Sequence, residues 1–463
     1  MQTNAYRPEK CRPRGAYRWL WLSLVVVLAV LVVTGCAAMP TPSPGATSTL
    51  TSTPTLPSTP LLNATPSGGT GSSAPTPGPM TLTLWAPEFL SPKAPQPAGP
   101  LLAEQMAGFE ASQDGKVRVA VVPKARYGKG GLLDFLRTAQ PVAPSVLPDL
   151  VALDVSELEA AVAAGLLQPL DGLLDKSLTD NLYPFAASAG KFGDRLLAVQ
   201  YAADLDHLAY RKDVVNKPPP TWAALLEARD PYLLPGGSPQ PGASGESFGG
   251  LQYNFISQYL SAGASYDPAA RILSVEGEPL RRMLDFYDAA QKAGVLPPAT
   301  LELADAGAVW NAFAQGAAPL ADVSARRYLS EGTNLKDTSY AETAGWAGPV
   351  TPIAGGWALA ITATDPVRQR VAADLIARLL QPENSGKLAA AGGWLPTSSA
   401  ALQTWGTNPY YKFLDARLAS AISLPAGPDS IQAAARIRKA LDSVIKGESD
   451  PATAVEAAIN PSQ

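Results

Sequence analysis

Residues 37–79 form a stretch of 43 residues without a charged side chain. We expect the folded part of the chain to follow this stretch. Of these residues, 32 are Pro, Ser, Thr or Gly. Such a composition cannot bury enough apolar surface to offset the chain entropy lost on folding, so we expect a disordered linker. The remaining residues, 80–463, are numerous enough to form two packed lobes.

The N-terminus has the pattern of an export signal. Five basic residues precede an apolar run from Leu20 to Val33, which is shorter than the ~20 residues that span a bilayer. The run ends at Cys36 in a sequence, VTGC, that resembles the bacterial lipobox, where the cysteine is acylated, for example with palmitate. We therefore predict a signal peptide over 1–35, lipidation of Cys36 and a linker over 36–79. The alternative is a membrane anchor that is never cleaved; both place the following residues outside the cytoplasmic membrane.

Composition argues against several functional classes. The net charge is −4, and it becomes −8 when residues 1–35, with five basic and one acidic side chain, are removed. An acidic chain of this kind is not expected to bind nucleic acid. Two cysteines and one histidine are too few for a zinc site or an iron–sulfur cluster, so we predict no metal and no cofactor.

From Met80 onward, strand-like and helix-like patterns alternate. This alternation predicts an α/β fold with parallel sheets that are covered on both faces. The predicted strands are 81–85, 117–122, 149–153 and 356–361. The predicted helices are 101–109, 156–165, 221–228, 247–262, 278–294, 308–315, 366–380 and 431–445.

Eight short motifs follow one another between residues 80 and 460. They are LTLW at 82–85, FE at 109–110 with VRV at 117–119, LPDLV at 147–151 with AGLLQPL at 164–170, LAV at 197–199 with LAYRKD at 208–213, PTW at 220–222, AFAQG at 312–316, GGW at 355–357 and GWLPT at 393–397. The order of these motifs resembles that in the extracellular solute-binding proteins of family 1. This family contains the sugar-binding lipoproteins of ABC importers and includes proteins like the maltose-binding protein. Gln200, where proline is usual, and Arg211, where asparagine is usual, depart from the family pattern.

The resemblance implies a two-lobed periplasmic-binding-protein type II fold with a hinge and a central ligand cleft. Closure of the lobes around a solute is a known mode of switching. The implied boundaries are 80–203 and 348–395 for lobe 1, and 204–347 and 396–463 for lobe 2. The implied function is capture of a mono- or oligosaccharide and its delivery to a membrane permease, by a monomeric, lipid-anchored protein that is not an enzyme.

Candidate ligand residues in lobe 1 follow predicted strands. Carboxylates and amides bind sugar hydroxyls, and aromatic rings cover the C–H faces of a sugar. Trp85 and Glu88 come after the first strand, and Ser156 and Glu157 begin the helix after the third. The alternatives are a core tryptophan, a solvated charge and simple helix capping.

Asp204 is the strongest candidate, because a carboxylate between Ala203 and Leu205 is hard to explain by packing. The sole histidine, His207, is expected to be a structural strand residue. The other candidates match contact regions of the resembled family. Tyr253, Asn254 and Phe255 lie on a predicted helix, and one or two of them must face the core. Ser324 and Arg326 have Asp322 nearby, and the alternative for Asp322 and Arg326 is a surface ion pair; for Trp357 and Trp394 the alternative is packing. Gly355 and Gly356 are expected to allow close backbone approach or positive φ beside Trp357.

Three other functions remain open at this point. The same fold could bind a polyamine, an opine or a phosphodiester. A glycan hydrolase would need two carboxylates ~5–9.5 Å apart, for which Glu88 and Asp204 are the available pair. A surface adhesin would have no small-molecule specificity.

Overall fold

Two β-sheets organise the part of the chain that the computed structural model describes. The described residues are 78–237, 247–248, 250–267, 270–424 and 427–460. The predicted signal peptide, Cys36 and nearly all of the predicted linker lie outside them.

The strands of the described part are numbered in chain order. They are β1 (Met80–Pro87), β2 (Val117–Lys124), β3 (Leu150–Asp154), β4 (Lys191–Phe192), β5 (Arg195–Leu196), β6 (Val199–Asp204), β7 (Asp206–Arg211), β8 (Tyr232–Leu233), β9 (Ser247–Phe248), β10 (Leu251–Gln252), β11 (Tyr266–Asp267), β12 (Ile272–Leu273), β13 (Leu320–Ser324), β14 (Thr338–Ala341) and β15 (Gly355–Ile361).

The α-helices are numbered in the same way. They are α1 (Ala98–Ser112), α2 (Leu132–Ala139), α3 (Leu158–Ala163), α4 (Lys176–Asp180), α5 (Pro184–Ala189), α6 (Trp222–Ala228), α7 (Tyr253–Ser261), α8 (Gly277–Lys292), α9 (Ala306–Ala314), α10 (Ala325–Glu331), α11 (Pro366–Leu380), α12 (Pro382–Gly392), α13 (Ser399–Gln403), α14 (Pro409–Ser420), α15 (Pro428–Ile445) and α16 (Pro451–Ile459). Within the described residues, none of them has the length and apolar character needed to cross a bilayer.

The first sheet has the strand order β2-β1-β3-β15-β6. Strands β1, β2 and β3 are parallel, and β15 runs antiparallel between β3 and β6. The carboxyl ends of β1, β2, β3 and β6 and the start of β15 therefore meet at one edge. Every residue of β3 is buried, as expected for a strand covered on both faces. We call the part built on this sheet lobe 1.

The second sheet has the order β14-β7-β13-β8, and we call the part built on it lobe 2. On β7 and β13, Asp206 lies opposite Ser324 and Leu208 opposite Asp322. The chain passes from the first sheet to the second through Leu205, and it returns between β14 and β15. The α/β fold predicted from the sequence is confirmed. The prediction of parallel sheets is wrong for the second sheet, where β7 pairs antiparallel with both β13 and β14, and for β15 in the first.

A close backbone approach shapes the start of β15, as the glycine pair predicts. Gly356 has φ of 138°, and a Cβ at this position would lie 2.0 Å from the carbonyl oxygen of Ala202. The pairing of β15 with β6 shifts its register between Trp357 and Ala358. The amide of Gln200, the residue that departs from the family pattern, donates to the Gly355 carbonyl oxygen at 3.0 Å.

The helix predicted over 247–262 is wrong in its first third. The described residues before Tyr253 form the antiparallel pair β9–β10, and α7 begins only at Tyr253. Gly250, between these two strands, has φ of 77°, which is a conformation that favours glycine and ends a helical pattern.

Candidate ligand-binding site

An aromatic cluster lies at the edge where the strand ends of the first sheet meet. A short 3₁₀ turn after β1 places Phe89 there. Its ring packs edge-on against Trp357, with centroids 5.5 Å apart, and against Trp394, at 5.9 Å. The ring of Tyr127 lies 5.8 Å from that of Trp357. Phe89 is half-buried, so one part of this apolar cluster remains accessible to a ligand.

Two buried carboxylates stand beside the aromatic cluster. Asp154, the last residue of β3, accepts hydrogen bonds from the Ser156 amide at 2.9 Å, the Ser156 hydroxyl at 2.6 Å and the Tyr127 hydroxyl at 2.8 Å. Burial raises the pKa of Asp154 although these hydrogen bonds oppose the shift. Ser156 therefore positions a carboxylate. The N-cap of the 3₁₀ turn is Asp154, so the alternative in which Ser156 caps the helix is wrong.

Glu157 is the carboxylate with unused hydrogen-bonding capacity. Its Oε2 atom is buried and has no hydrogen-bond partner. Burial, and secondarily the charge of Asp154, raises the pKa of Glu157 to about 8. An oxygen of this kind is available to a ligand hydroxyl, and pairing it would remove the cost of leaving it unsatisfied.

Asp204 lies where the chain crosses between the lobes. Its carboxylate accepts from the Ser324 hydroxyl at 2.5 Å, the Arg326 amide at 3.1 Å and the Leu205 amide at 2.9 Å. Burial raises its pKa, and the charge of Arg326 opposes that shift. Asp204 pairs with Gly355 on one side of β15 and Asp154 with Trp357 on the other, so they are offset by two strand spacings, about 10 Å, across the sheet and by two residues, about 7 Å, along it. The structure therefore brings together Asp204, Ser324 and Arg326 as one contact between the two sheets.

Two arginines complete this edge. The guanidinium carbon of Arg126 lies 4.7 Å from the ring centre of Phe89, and that of Arg326, from lobe 2, lies at 5.9 Å. Aromatic faces, buried acids and guanidinium groups are therefore concentrated in one place. This arrangement can cover the C–H faces of a ring and accept or donate hydrogen bonds to its hydroxyls.

Five predicted ligand residues lie outside the aromatic cluster: Trp85, Glu88 and Phe255, and the pair Tyr253 and Asn254 described below. Trp85 is 6% exposed and packs edge-on against Phe135 at 6.0 Å, because it points into the core of lobe 1. Phe255 is fully buried against Tyr287 in lobe 2. Glu88 is exposed in the turn that positions its neighbour. Trp357 and Trp394 are buried to the same degree, at 7% and 3% exposed, so Phe89 is the ring of the aromatic cluster that is partly accessible. The ligand contacts predicted for Trp85, Phe255 and Glu88 remain predictions.

Tyr253 and Asn254 line a separate small pocket in lobe 2, with Asp322 on its wall. Asp322 is 2% exposed and accepts from the Thr343 hydroxyl at 2.6 Å, so its interpretation as part of a surface ion pair is wrong. His207 is a buried strand residue, as expected, and its Nε2 lies 2.7 Å from the Tyr410 hydroxyl. No group of three or more His, Cys, Asp or Glu side chains suited to a metal occurs in the described ranges.

Sequence reasoning missed four residues of the edge, namely Phe89, Arg126, Tyr127 and Asp154. Two of them had a readable signal, since Phe89 directly follows Glu88 and Asp154 is the polar residue that ends a buried strand. Arg126 and Tyr127 lie in an irregular segment after β2, where no periodicity indicates direction.

Comparison with known proteins gives matches over most of the chain. Residues 104–412 match the family described as bacterial extracellular solute-binding protein. A cyclic α-maltosyl-1,6-maltose binding protein from Arthrobacter globiformis is 20% identical, with a TM-score of 0.67 over 82% of this chain and 97% of that one. The Thermus thermophilus maltotriose binding protein is 20% identical, with a TM-score of 0.58 over 82% and 98%.

A curated relative matches over a shorter stretch. A maltotriose-binding protein of Pyrococcus abyssi is 29% identical over 107 residues, which are 23% of this chain and 23% of that relative's length. At these identities, the solved structures establish the two-lobed fold.

Proposed function

The chain belongs to the bacterial extracellular solute-binding proteins, which are binding proteins and not enzymes, and from this premise we propose that it binds an oligosaccharide of the maltodextrin class. The solute would occupy the edge formed by Phe89, Trp357 and Trp394 with Glu157 and Asp204. The names of the structural and curated relatives, which are binding proteins for cyclic α-maltosyl-1,6-maltose and for maltotriose, support this substrate class.

The observation that carries the proposal is the pairing of an accessible aromatic ring with an unsatisfied carboxylate. Phe89 offers a flat apolar surface, and the buried Oε2 of Glu157 has no partner. A sugar supplies both complements, because its ring has C–H faces and its hydroxyls donate hydrogen bonds. With its pKa raised to about 8, Glu157 is mostly protonated at neutral pH, so its contact with a sugar hydroxyl is a neutral hydrogen bond of about 1 kcal/mol, whereas hydrogen bonds to charged groups contribute about 1.5–3 kcal/mol each. Several such contacts, together with ring packing, reach the ~8 kcal/mol of micromolar binding.

We also propose that lobe closure acts through Asp204. Asp204 is the last residue of strand β6 in lobe 1, and its carboxylate accepts hydrogen bonds from Ser324 and Arg326 of lobe 2. A solute that competes for it would alter a contact between the two lobes. The lobe boundaries implied by the sequence at 347–348 and 395–396 remain part of this proposal, and the crossing implied at 203–204 is moved to Leu205, between β6 and β7.

Lipid anchoring and delivery to an ABC permease complete the proposed function. The lipobox-like sequence that ends at Cys36 supports the anchor, and membership of an extracellular solute-binding family supports the delivery step. Metabolic labelling with palmitate tests the anchor: we expect label in the wild-type chain and none in Cys36→Ser, whereas equal label in both would contradict it.

A thermal-shift screen tests the substrate class. A ligand that binds only the folded protein stabilises it by RT ln(1 + [L]/Kd). We expect maltotriose and longer malto-oligosaccharides to raise the melting temperature of the full-length protein, and cellotriose, which differs in linkage, to raise it less. A shift only with polyamines or phosphodiesters, and none with any sugar, would overturn the proposal.

A further inference from the structure

The small pocket in lobe 2 is separate from the aromatic edge and is walled largely by oxygen-bearing side chains. It has room for about one water-sized group. Its lining residues are Asp206, Tyr253, Asn254, Ser257, Asp322, Thr343, Val350, Pro352 and Ile353. Strands β7 and β13, the start of α7 and the segment between β14 and β15 all contribute to it.

Strand register explains why two acids face this pocket together. Asp206 lies opposite Ser324, and Asp322 lies opposite Leu208. Directly opposite residues of an antiparallel pair point to the same face of the sheet, and so do residues two apart on one strand. Asp206 and Asp322 are therefore diagonal neighbours on one face, at a typical spacing of roughly 7–8 Å.

The charge of Asp322 has no basic partner at the pocket. No lysine, arginine or histidine is among the described residues that line it. Burial raises the pKa of Asp322 to about 6, and a hydrogen bond from Thr343 opposes the shift. Burial therefore disfavours the ionised form of this carboxyl group, which a cation beside it would stabilise.

The polar groups nearby do not supply a positive charge to Asp322 either. The hydroxyls of Tyr232 and Tyr287 are buried and have no hydrogen-bond partner, and the charge of Asp322 adds to the burial that raises their pKa values. Arg417 reaches the carbonyl oxygen of Val350 at 2.8 Å, but its guanidinium forms an ion pair with Glu342. The charge of Asp322 thus remains uncompensated by the residues that line the pocket.

Asn254 gives a second, independent indication that the pocket binds a ligand. It is 4% exposed, and neither its amide oxygen nor its amide nitrogen has a hydrogen-bond partner. Leaving such a group buried and unpaired costs about 1–3 kcal/mol. Its oxygen adds to the carboxylates and to the hydroxyls of Ser257 and Thr343, an all-oxygen set that suits hard cations.

We propose that this pocket binds one small cation, either a bare alkali-metal ion or the ammonium group of a solute. Both sources place a compact positive charge between Asp206 and Asp322 and give the amide oxygen of Asn254 a partner. A sugar hydroxyl would pair with these oxygens but would leave the charge of Asp322 uncompensated. Mg²⁺ is also bound by one or two carboxylates, but it keeps several of its waters, and this pocket has room for about one water-sized group. The proposal does not depend on which solute the aromatic edge binds.

The test is a thermal-stability titration of the full-length protein at pH 7.5, with choline chloride as the ionic-strength reference. Sodium, potassium and methylammonium chloride are each exchanged for choline at constant total salt. We expect a saturable rise in melting temperature of about 2–4 °C with at least one of them. A response to sodium or potassium identifies a bare ion, and a response to methylammonium alone identifies the amine. Equal melting temperatures in all four salts would overturn the proposal.

Three variants locate the effect. Asp322→Asn should abolish the cation-dependent shift, and Asp285→Asn, the same change at an exposed position of lobe 2, should retain it in full. Asn254→Ala keeps both acids and should raise the half-saturating cation concentration about tenfold, so it serves if Asp322→Asn does not fold. An undiminished shift in both pocket variants would contradict the assignment.

Discussion

The acidic side chains buried in the two lobes have different neighbouring residues. At the edge of lobe 1, Asp154 and Glu157 stand beside aromatic rings and Arg126, whereas in lobe 2 Asp322 faces hydroxyls and an unpaired amide, with no basic residue among the described residues that line the pocket. The first arrangement has a partly exposed ring and an open carboxylate oxygen, which suits an uncharged polyol. The second has room for about one water-sized group, which suits a small cation. The neighbours of a buried acid, and not its burial alone, therefore determine which ligand it can bind.

The largest effect that we expect from this contrast is the pH dependence of Glu157. Its raised pKa of about 8 means that the folded protein holds a proton that the unfolded chain has lost. Its contribution to stability is fully present below pH ~4.5 and is lost as pH rises through 8. From this group alone, we expect up to about 4 kcal/mol less stability at pH 9 than at pH 4.5.

Glu157→Gln, measured by chemical denaturation between pH 5 and 9, checks this prediction. The variant should become more stable relative to wild type as pH rises. Glu159→Gln, a change on the same short segment, serves as the control, and parallel pH curves for wild type and Glu157→Gln would argue against a buried acid.

His207 in lobe 2 should act in the opposite direction. Burial lowers its pKa to about 4, so the folded protein keeps it neutral while the unfolded chain takes up a proton. Its contribution is present above pH 6.5 and is lost as pH falls from 6.5 to 4, by about 3 kcal/mol. His207→Gln should therefore flatten the acid side of the stability curve; a curve as steep as that of wild type would contradict the prediction.

Asp204 should matter for affinity more than its neighbours do. Asp204→Ala should weaken oligosaccharide binding at least roughly tenfold, because a charged hydrogen bond is lost. The same carboxylate also accepts from Ser324 and the Arg326 amide, so we expect the melting temperature to fall as well. Ser324→Ala removes one of those contacts and keeps the carboxylate. Calorimetry should find Ser324→Ala close to wild type in affinity; unchanged affinity in Asp204→Ala would remove Asp204 from the site.

Phe89 carries the smallest of these effects. Phe89→Ala should weaken oligosaccharide binding by about 1 kcal/mol or roughly fivefold, through the loss of ring contact. Phe135→Ala, which removes another partly exposed ring of lobe 1, should leave affinity unchanged. Equal losses in both variants would indicate general destabilisation and not a contact with the ligand.

Sequence alone predicted the fold class because strand and helix patterns alternate strongly after Met80. It also predicted the tight approach at Gly355–Gly356, since two adjacent glycines before a buried strand leave room for a neighbouring backbone that any side chain would block. The sequence does not show in which direction a side chain points when tertiary packing determines it. Trp85 and Phe255 are aromatic residues of the kind that contact sugars, but the pleat of β1 and the rotation of α7 place their side chains in the cores.

The polar part of the candidate site was recognised in part. Asp204 stood out because its sequence neighbours are apolar, and a buried carboxylate is visible against that background. Asp154 was overlooked, since an acid at a strand end is also the ordinary start of a capped turn. The tertiary structure brings the guanidinium groups of Arg126 and Arg326 close to Phe89. The spacing of these residues in the sequence does not predict that contact.

Isothermal titration calorimetry of the full-length protein with maltotriose tests whether the chain binds malto-oligosaccharides through Asp204. We expect one binding site per chain, with a Kd in the micromolar range or below, and at least a tenfold weaker Kd in Asp204→Ala. Absence of heat with maltotriose and with longer malto-oligosaccharides, from protein that unfolds cooperatively, would contradict it.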